Sequence, residues 1–277
     1  MSSLDYVDYL EKNATGPMKN LLDLLYRKYR SGVAVLLCRR ILSIKLATPI
    51  ISFTFDDAPR TAFYNGGDIL KAHGASATFY VSIGMLGSGS PSGSIASQDD
   101  LRRAKENGHE LGCHTFDHKD PWKTETNVFE HSVLKNRQAL ARIIPETVFT
   151  TFAYPLCSPR PATKRRIGNI FNCCRGGGQT FNVGHIDLNL LKAFFLDVRN
   201  GDAIKSVREL IDQNIEARGW LIFATHDVDD NPSRYGCTKE FLEMVVAYAA
   251  SSGSFLLPVG KAYEQIKING TEKYSTP

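Results

Sequence analysis

Two adjacent carboxylates close a short apolar run at Ile50-Ile51-Ser52-Phe53-Thr54-Phe55-Asp56-Asp57-Ala58-Pro59. Like charges side by side at the end of a buried strand repel, and such a pair calls for a shared cation or a shared proton. Downstream, His114-Thr115-Phe116-Asp117-His118 holds two imidazoles four residues apart. On one turn of helix that spacing points both rings the same way, toward one ion. Joined by a carboxylate from Asp56 or Asp57, they make a set of two histidines and one carboxylate. Such a set leaves a position open for water, as catalytic rather than structural zinc sites do. The second carboxylate is then free to take a proton from that water, which is the step from binding to hydrolysis.

These side chains need a frame, and the pattern predicts alternating strands and helices. Strands are expected at 50–55, 77–83, 109–113, 148–154, near 171–174, at 195–198, 220–225 and 254–257. Helices are expected at 64–73, 97–107, 126–144, 188–194, 203–218 and 238–251. Ser97 with Asp100 three residues on reads as a helix start, and Gly108 as its stop. This alternation implies parallel strands with helices outside, best met by an α/β barrel of repeated strand–helix units. Chemistry in such barrels sits at the C-terminal ends of strands. Asp56, Asp57, His114, His118, Tyr154 and His226 all fall at such ends.

At 277 residues the chain can build one large α/β domain or two small ones. Its net charge of +4 resides wholly in residues 1–48, which hold eight basic and four acidic side chains. This basic leader, with a helix expected over 17–30 and leucines and tyrosines interleaved, suits either packing on the main domain or peripheral contact with an anionic membrane. Six scattered cysteines form no Cys-x-x-Cys pair and read as free thiols in a reducing compartment. Neither a secretory signal nor an apolar run long enough to span a bilayer is recognised, so a cytoplasmic or membrane-peripheral protein is expected. No nucleic-acid module is visible, and Gly176-Gly177-Gly178 lacks the lysine and hydroxyl of a phosphate loop.

The ordered segments Thr54 to Pro59, Gly108 to His118, Phe152-Ala153-Tyr154-Pro155 and Leu221 to Asp227 resemble the motifs of the polysaccharide deacetylase family, also called the NodB-homology or carbohydrate esterase family 4 fold. The resemblance covers residues 50 to about 265 and implies a distorted (β/α)7-type barrel over 49–277, with 1–48 as a helical N-terminal extension. It implies a metal-dependent hydrolase that removes acetyl from an N-acetylated or O-acetylated glycan. By the same resemblance Asp57, His114 and His118 bind a divalent metal, most often zinc, and Asp56 is the general base. The backbone N–H of Tyr154 holds the oxyanion, His226 protonates the leaving group, and Trp220, Leu221 and Phe223 wall an acetate pocket. An amidohydrolase acting on a cyclic imide or ureide is the rival enzyme, and a glycan-binding barrel without turnover the rival of another class.

Several positions depart from the family pattern. An arginine that pairs with the base precedes the aromatic residue of the third motif in many members; Ala153 stands there, and Arg175 is the candidate replacement. The aspartate that tunes the last histidine has two candidates, Asp197 and Asp202. Ala58 replaces a glycine, a mild change for a turn with negative φ. His73, His109, His131 and His185 are assigned no role in the site, and Cys113 a place behind it.

Overall fold

The computed structural model describes residues 16–198 and 204–271. Seven parallel strands form a curled sheet in the order Phe194–Phe195, Trp220–Thr225, Ile50–Phe55, Thr78–Val81, Glu110–Cys113, Thr151–Ala153, Cys173–Arg175, and Phe255–Leu256 adds to Ile50 and Ile51 at the base. Every residue of Ile50–Phe55 and of Trp220–Thr225 is buried, as expected of strands covered on both faces. Alternation sorts them into two cores. Ile51, Phe53, Phe55, Leu221 and Phe223 pack under the outer helices, whereas Ile50, Trp220, Ile222 and Ala224 fill the barrel interior with Ile44, Leu46, Val259 and Ala262.

The helix Gln98–Glu106 opens with a full capping box between Ser97 and Asp100, as its sequence predicts. The expected helix at 188–194 is absent. That stretch is a turn at 188–190, closed by Leu190 N–H to the Asp187 carbonyl at 2.9 Å, and then a parallel bridge at Leu191 beside Cys173–Arg175, with Cys174 N–H to the Leu188 carbonyl and Leu191 N–H to the Cys174 carbonyl, both 2.8 Å. It then enters the strand Phe194–Phe195 and closes the barrel. Its leucines have helix propensity, but the sheet edge offers backbone partners that a helix there would leave unmet. The helices Pro161–Gly168 and Val259–Thr271 were not anticipated.

Within the leader, a helix spans Gly16–Leu36 and a strand Ile41–Ile44 pairs antiparallel with Gly184–Asp187. Lys164, with a fully buried side chain, ties the two parts together: its ammonium donates to the Ala34 carbonyl at 2.6 Å, the Leu37 carbonyl at 2.8 Å and Asp187 Oδ2 at 2.6 Å. Among the described residues no helix is long and apolar enough to cross a membrane.

Candidate active site

Strand alternation aims the site. Asp56 follows Phe55, so it shares the inward face of Ser52 and Thr54, and its N–H is held by the Thr225 carbonyl at 2.9 Å. Arg175 shares the inward face of Cys173 at the end of its own strand. Its terminal nitrogen donates to Asp56 Oδ1 in a short ion pair, a second nitrogen donates to the Gly176 carbonyl at 3.1 Å, and the guanidinium lies over Tyr80 and Phe195. Ala153 and Arg175 are direct register partners on adjacent strands. The small side chain at 153 leaves the space, and the arginine one strand over occupies it.

Burial alone would push the Asp56 carboxyl up, but Arg175, with His114 and His226, outweighs it and holds the group below the ordinary carboxylate value. Asp56 is thus an anion within the protein interior, steadied by one fixed cation.

Asp57 turns away through φ +60, and Thr115 and His118 also take left-handed backbone, at φ +63 and +50. His114 to His118 is therefore a tight loop and not the expected turn of helix. The loop still gathers both imidazoles, with ring centroids 5.1 Å apart. It is held by Ser82 Oγ to the His114 carbonyl at 2.8 Å, Gly84 N–H to the Phe116 carbonyl at 2.8 Å and Phe116 N–H to Ser132 Oγ at 3.0 Å. Ala58 has φ +53, so the substitution for glycine is not the mild one expected: a side chain sits in the left-handed region, at a cost of about 1–2 kcal/mol.

The fit to a metal can be judged from the atoms. Asp57 Oδ1 is buried and has no hydrogen-bond partner among the described residues. It lies 3.5 Å from His114 Nε2 and 3.3 Å from His118 Nε2, and one ligand atom from each of the three residues falls within 4.8 Å of the others. His114 Nδ1 is 2.8 Å from the Ala153 carbonyl, which can only accept, so Nδ1 carries the proton and Nε2 presents its lone pair. Desolvation drives His114 down to about 4, leaving a neutral ring suited to ligation. An orphaned carboxylate oxygen facing two imidazole nitrogens fits a divalent cation.

His226 sits across the site, its Nε2 3.9 Å from Asp57 Oδ2. The backbone carbonyl of Tyr235 accepts from its Nδ1 at 3.2 Å, and the Tyr235 ring packs on the imidazole. Of the two aspartates expected to tune this ring, Asp197 is buried and Asp202 lies outside the described residues. The loop bearing Tyr235 is built on Asp227, whose carboxylate accepts from Ser233 N–H and Ser233 Oγ, both at 2.6 Å, while Ser233 Oγ accepts from Tyr235 N–H at 3.1 Å. A Cβ at Gly236 would come 2.3 Å from the Asp227 carbonyl oxygen, so only glycine lets the loop fold back this closely.

Two placements correct the expectations. Tyr154 points outward with Phe152 into the core under the helices, and its N–H already donates to the Arg175 carbonyl at 3.0 Å, so it is not a free oxyanion donor. Trp220, Leu221 and Phe223 are core residues, and Trp220 Nε1 donates to Ser52 Oγ at 2.9 Å. The cleft over the metal-type group, about 920 Å³, takes its apolar wall instead from Met85, Leu156, Phe195 and Tyr235. Arg27, Arg30 and Ser31 of the N-terminal helix also reach it. Nothing local marks these residues, since they meet only when distant loops converge.

Fold and site together define a class: a parallel α/β barrel with an Asp-His-His group of metal-ligand geometry at the C-terminal rim of its strands. Residues 44–169 match the family model described as polysaccharide deacetylase. Peptidoglycan-N-acetylglucosamine deacetylase PgdA of Listeria monocytogenes is 35% identical over 91 residues, which are 32% of this chain and 18% of the relative. The chain thus spans under a fifth of the length of the curated relatives it matches. The fold is shared with a putative polysaccharide deacetylase from Mycobacterium smegmatis, at a TM-score of 0.60 and 15% identity over 82% of this chain and 96% of that one. It is also shared with a family 4 acetyl xylan esterase from Clostridium thermocellum in complex with a cobalt ion, at 0.55 and 19% over 78% and 91%.

Proposed function

We propose that the protein is a metal-dependent hydrolase that removes acetyl groups from an N-acetylated or O-acetylated carbohydrate. The observation that carries this reading is the pairing of Asp57, His114 and His118 in ligand geometry with a second, separately held carboxylate, Asp56. Asp57, His114 and His118 would hold a divalent ion, with zinc the expected one. Such an ion supplies Lewis-acid polarisation of an acyl carbonyl and makes an adjacent water more acidic.

The chain's own residues do the rest. Asp56 accepts the proton of the attacking water, and Arg175 keeps it ionised and immobile until then. His226 delivers a proton from Nε2 to the departing nitrogen or oxygen, its ring set by the Tyr235 carbonyl at Nδ1. The apolar wall of the cleft limits competing water around the acyl group. Both the family match and the separation of roles between the two aspartates favour turnover over a glycan-binding barrel.

Purified protein loaded with zinc or cobalt and assayed for acetate release from acetylated chitooligosaccharides and acetylated xylooligosaccharides, beside a cyclic imide, tests the reading. Acetate release that Asp56→Asn lowers at least a hundredfold is expected. Turnover of the imide alone, or full deacetylation by Asp56→Asn, would overturn it.

A further inference from the structure

The cleft does not end at the metal-type group. A second cavity of about 580 Å³ adjoins it, and the two share Ser31, Cys157, Ser158, Gly177 and Gly178 in their walls. They form one groove that leaves the rim of the barrel and passes beneath the N-terminal helix. We infer that this groove is a binding arm for further sugars of the glycan chain, and that it selects a chain bearing carboxylates. The inference rests on the deacetylase reading and adds the substrate class.

The roof of the arm is Ser31, Ala34 and Val35 of the helix Gly16–Leu36. It is a fixed roof. Lys164 pins the Ala34 and Leu37 carbonyls, and pairing of Ile41–Ile44 with Gly184–Asp187 anchors the chain just beyond. On the catalytic side, Arg30 pairs with Asp120 at 3.1 Å and covers the Trp122 ring at 5.1 Å, docking the helix beside the loop that carries His118. A leader outside the family match is thereby built into the wall of the site.

The floor is the triple glycine. Gly178 has φ +133, a conformation closed to other residues without strain, and a Cβ there would come 3.2 Å from Lys192 Cγ. Glycine at 177 and 178 keeps the passage open and exposes backbone polar groups to a ligand.

Charge gives the arm its selectivity. Arg39 and Lys192, both exposed, line it from opposite elements. The carboxylate in the same wall, Asp187, is already engaged: its oxygens accept from Arg40 N–H at 2.8 Å, Asn189 N–H at 3.0 Å and the buried Lys164 ammonium. His185 is held by Ser43 Oγ at 2.8 Å. An anion entering the arm therefore meets two cations and no uncompensated acid, and a sugar carboxylate matches both the charge and the hydrogen-bond geometry of arginine.

The test compares two acetylated tetrasaccharides of equal length, one neutral and one with a carboxylate on alternate sugars, using the full chain loaded with metal. Wild type is expected to favour the carboxylated chain by about tenfold in kcat/KM at low ionic strength, a preference that shrinks in about 0.5 M salt. Arg39→Glu with Lys192→Glu, two exposed changes checked for unaltered thermal unfolding, is expected to reverse the preference. Equal handling of both substrates by wild type, or a preference that survives the charge reversal, overturns the inference. Titration of a tetrauronate without acetyl groups, followed by calorimetry, decides the same point without turnover: binding at least tenfold weaker in the charge-reversed protein is expected, and equal binding overturns it. Absence of acetate release from every substrate would refute the deacetylase reading, while this titration still decides the arm.

Discussion

Replacing Arg175 by methionine isolates the contact on which Asp56 depends. The arginine side chain is fully buried and that of Asp56 is 6% exposed, so removing the cation strands a carboxylate in the interior. Breaking a buried pair from one side costs about 3–5 kcal/mol, and the lost contacts of the guanidinium with the Tyr80 and Phe195 rings add to it. For a protein of this size each kcal/mol moves Tm by about 2–4 °C, so a fall of about 10 °C is expected. The pH dependence carries the sign. In wild type the Asp56 pKa is depressed in the fold below 3.8, so its contribution is present above 3.8 and is lost as pH falls through the folded value. Without Arg175 burial prevails, the folded pKa rises, and protonation now favours the folded state. The gap in Tm between variant and wild type should accordingly narrow between about pH 7 and about pH 4 in scanning calorimetry. Asp56→Asn added to Arg175→Met removes the stranded charge and should recover about half of the loss, giving a coupling energy above about 1 kcal/mol in the double-mutant cycle. A loss below about 1 kcal/mol, or a gap that stays constant with pH, refutes the assignment of Arg175 as the partner of the base.

Other expectations follow from the same geometry. Ser233→Ala frees the Tyr235 N–H and loosens the carbonyl that sets His226, so kcat should fall about tenfold with little change in KM and Ser233→Thr should restore it; a change in KM alone would argue against this positioning role. Lys164→Met leaves Asp187 without its cation and the helix end without its donors, and a loss of about 3–5 kcal/mol in denaturant unfolding is expected. Desolvation lowers the pKa of His109 from 6.5, and its Nδ1 accepts from Ala77 N–H at 3.1 Å, so the neutral ring is the stabilising form. Stability should therefore decline as pH falls through 6.5 toward the folded value, and His109→Asn, which keeps an acceptor, should flatten that slope in urea titrations. Asp57→Asn should abolish the rise in Tm that zinc gives wild type, a rise worth about 2.7 kcal/mol at a hundredfold excess over Kd.

Local chemistry and alternation carried much of this protein in plain view. Ile50 to Phe55 ends in Asp56 at the C-terminal rim because a continuous apolar run between turn residues is a buried strand, and Ser97 with Asp100 announces a helix because those side chains cap one wherever they stand. The spacing of His114 and His118 suggested that their rings meet, as they do with centroids 5.1 Å apart, though the backbone between them is a loop with left-handed residues at Thr115 and His118. What the chain could not show locally was register. Arg175 meets Asp56 because its strand aligns with Ala153, and residues 188–194 forgo helix because a sheet edge is waiting for their backbone. The Tyr154 amide is occupied for the same reason, and the leader becomes the roof of a groove only once Lys164 has drawn it down. Residue type and period determined the strands, the caps and the identity of the candidate ligand groups; which groups face each other was decided by contacts between segments far apart in the chain, where no local periodicity reaches.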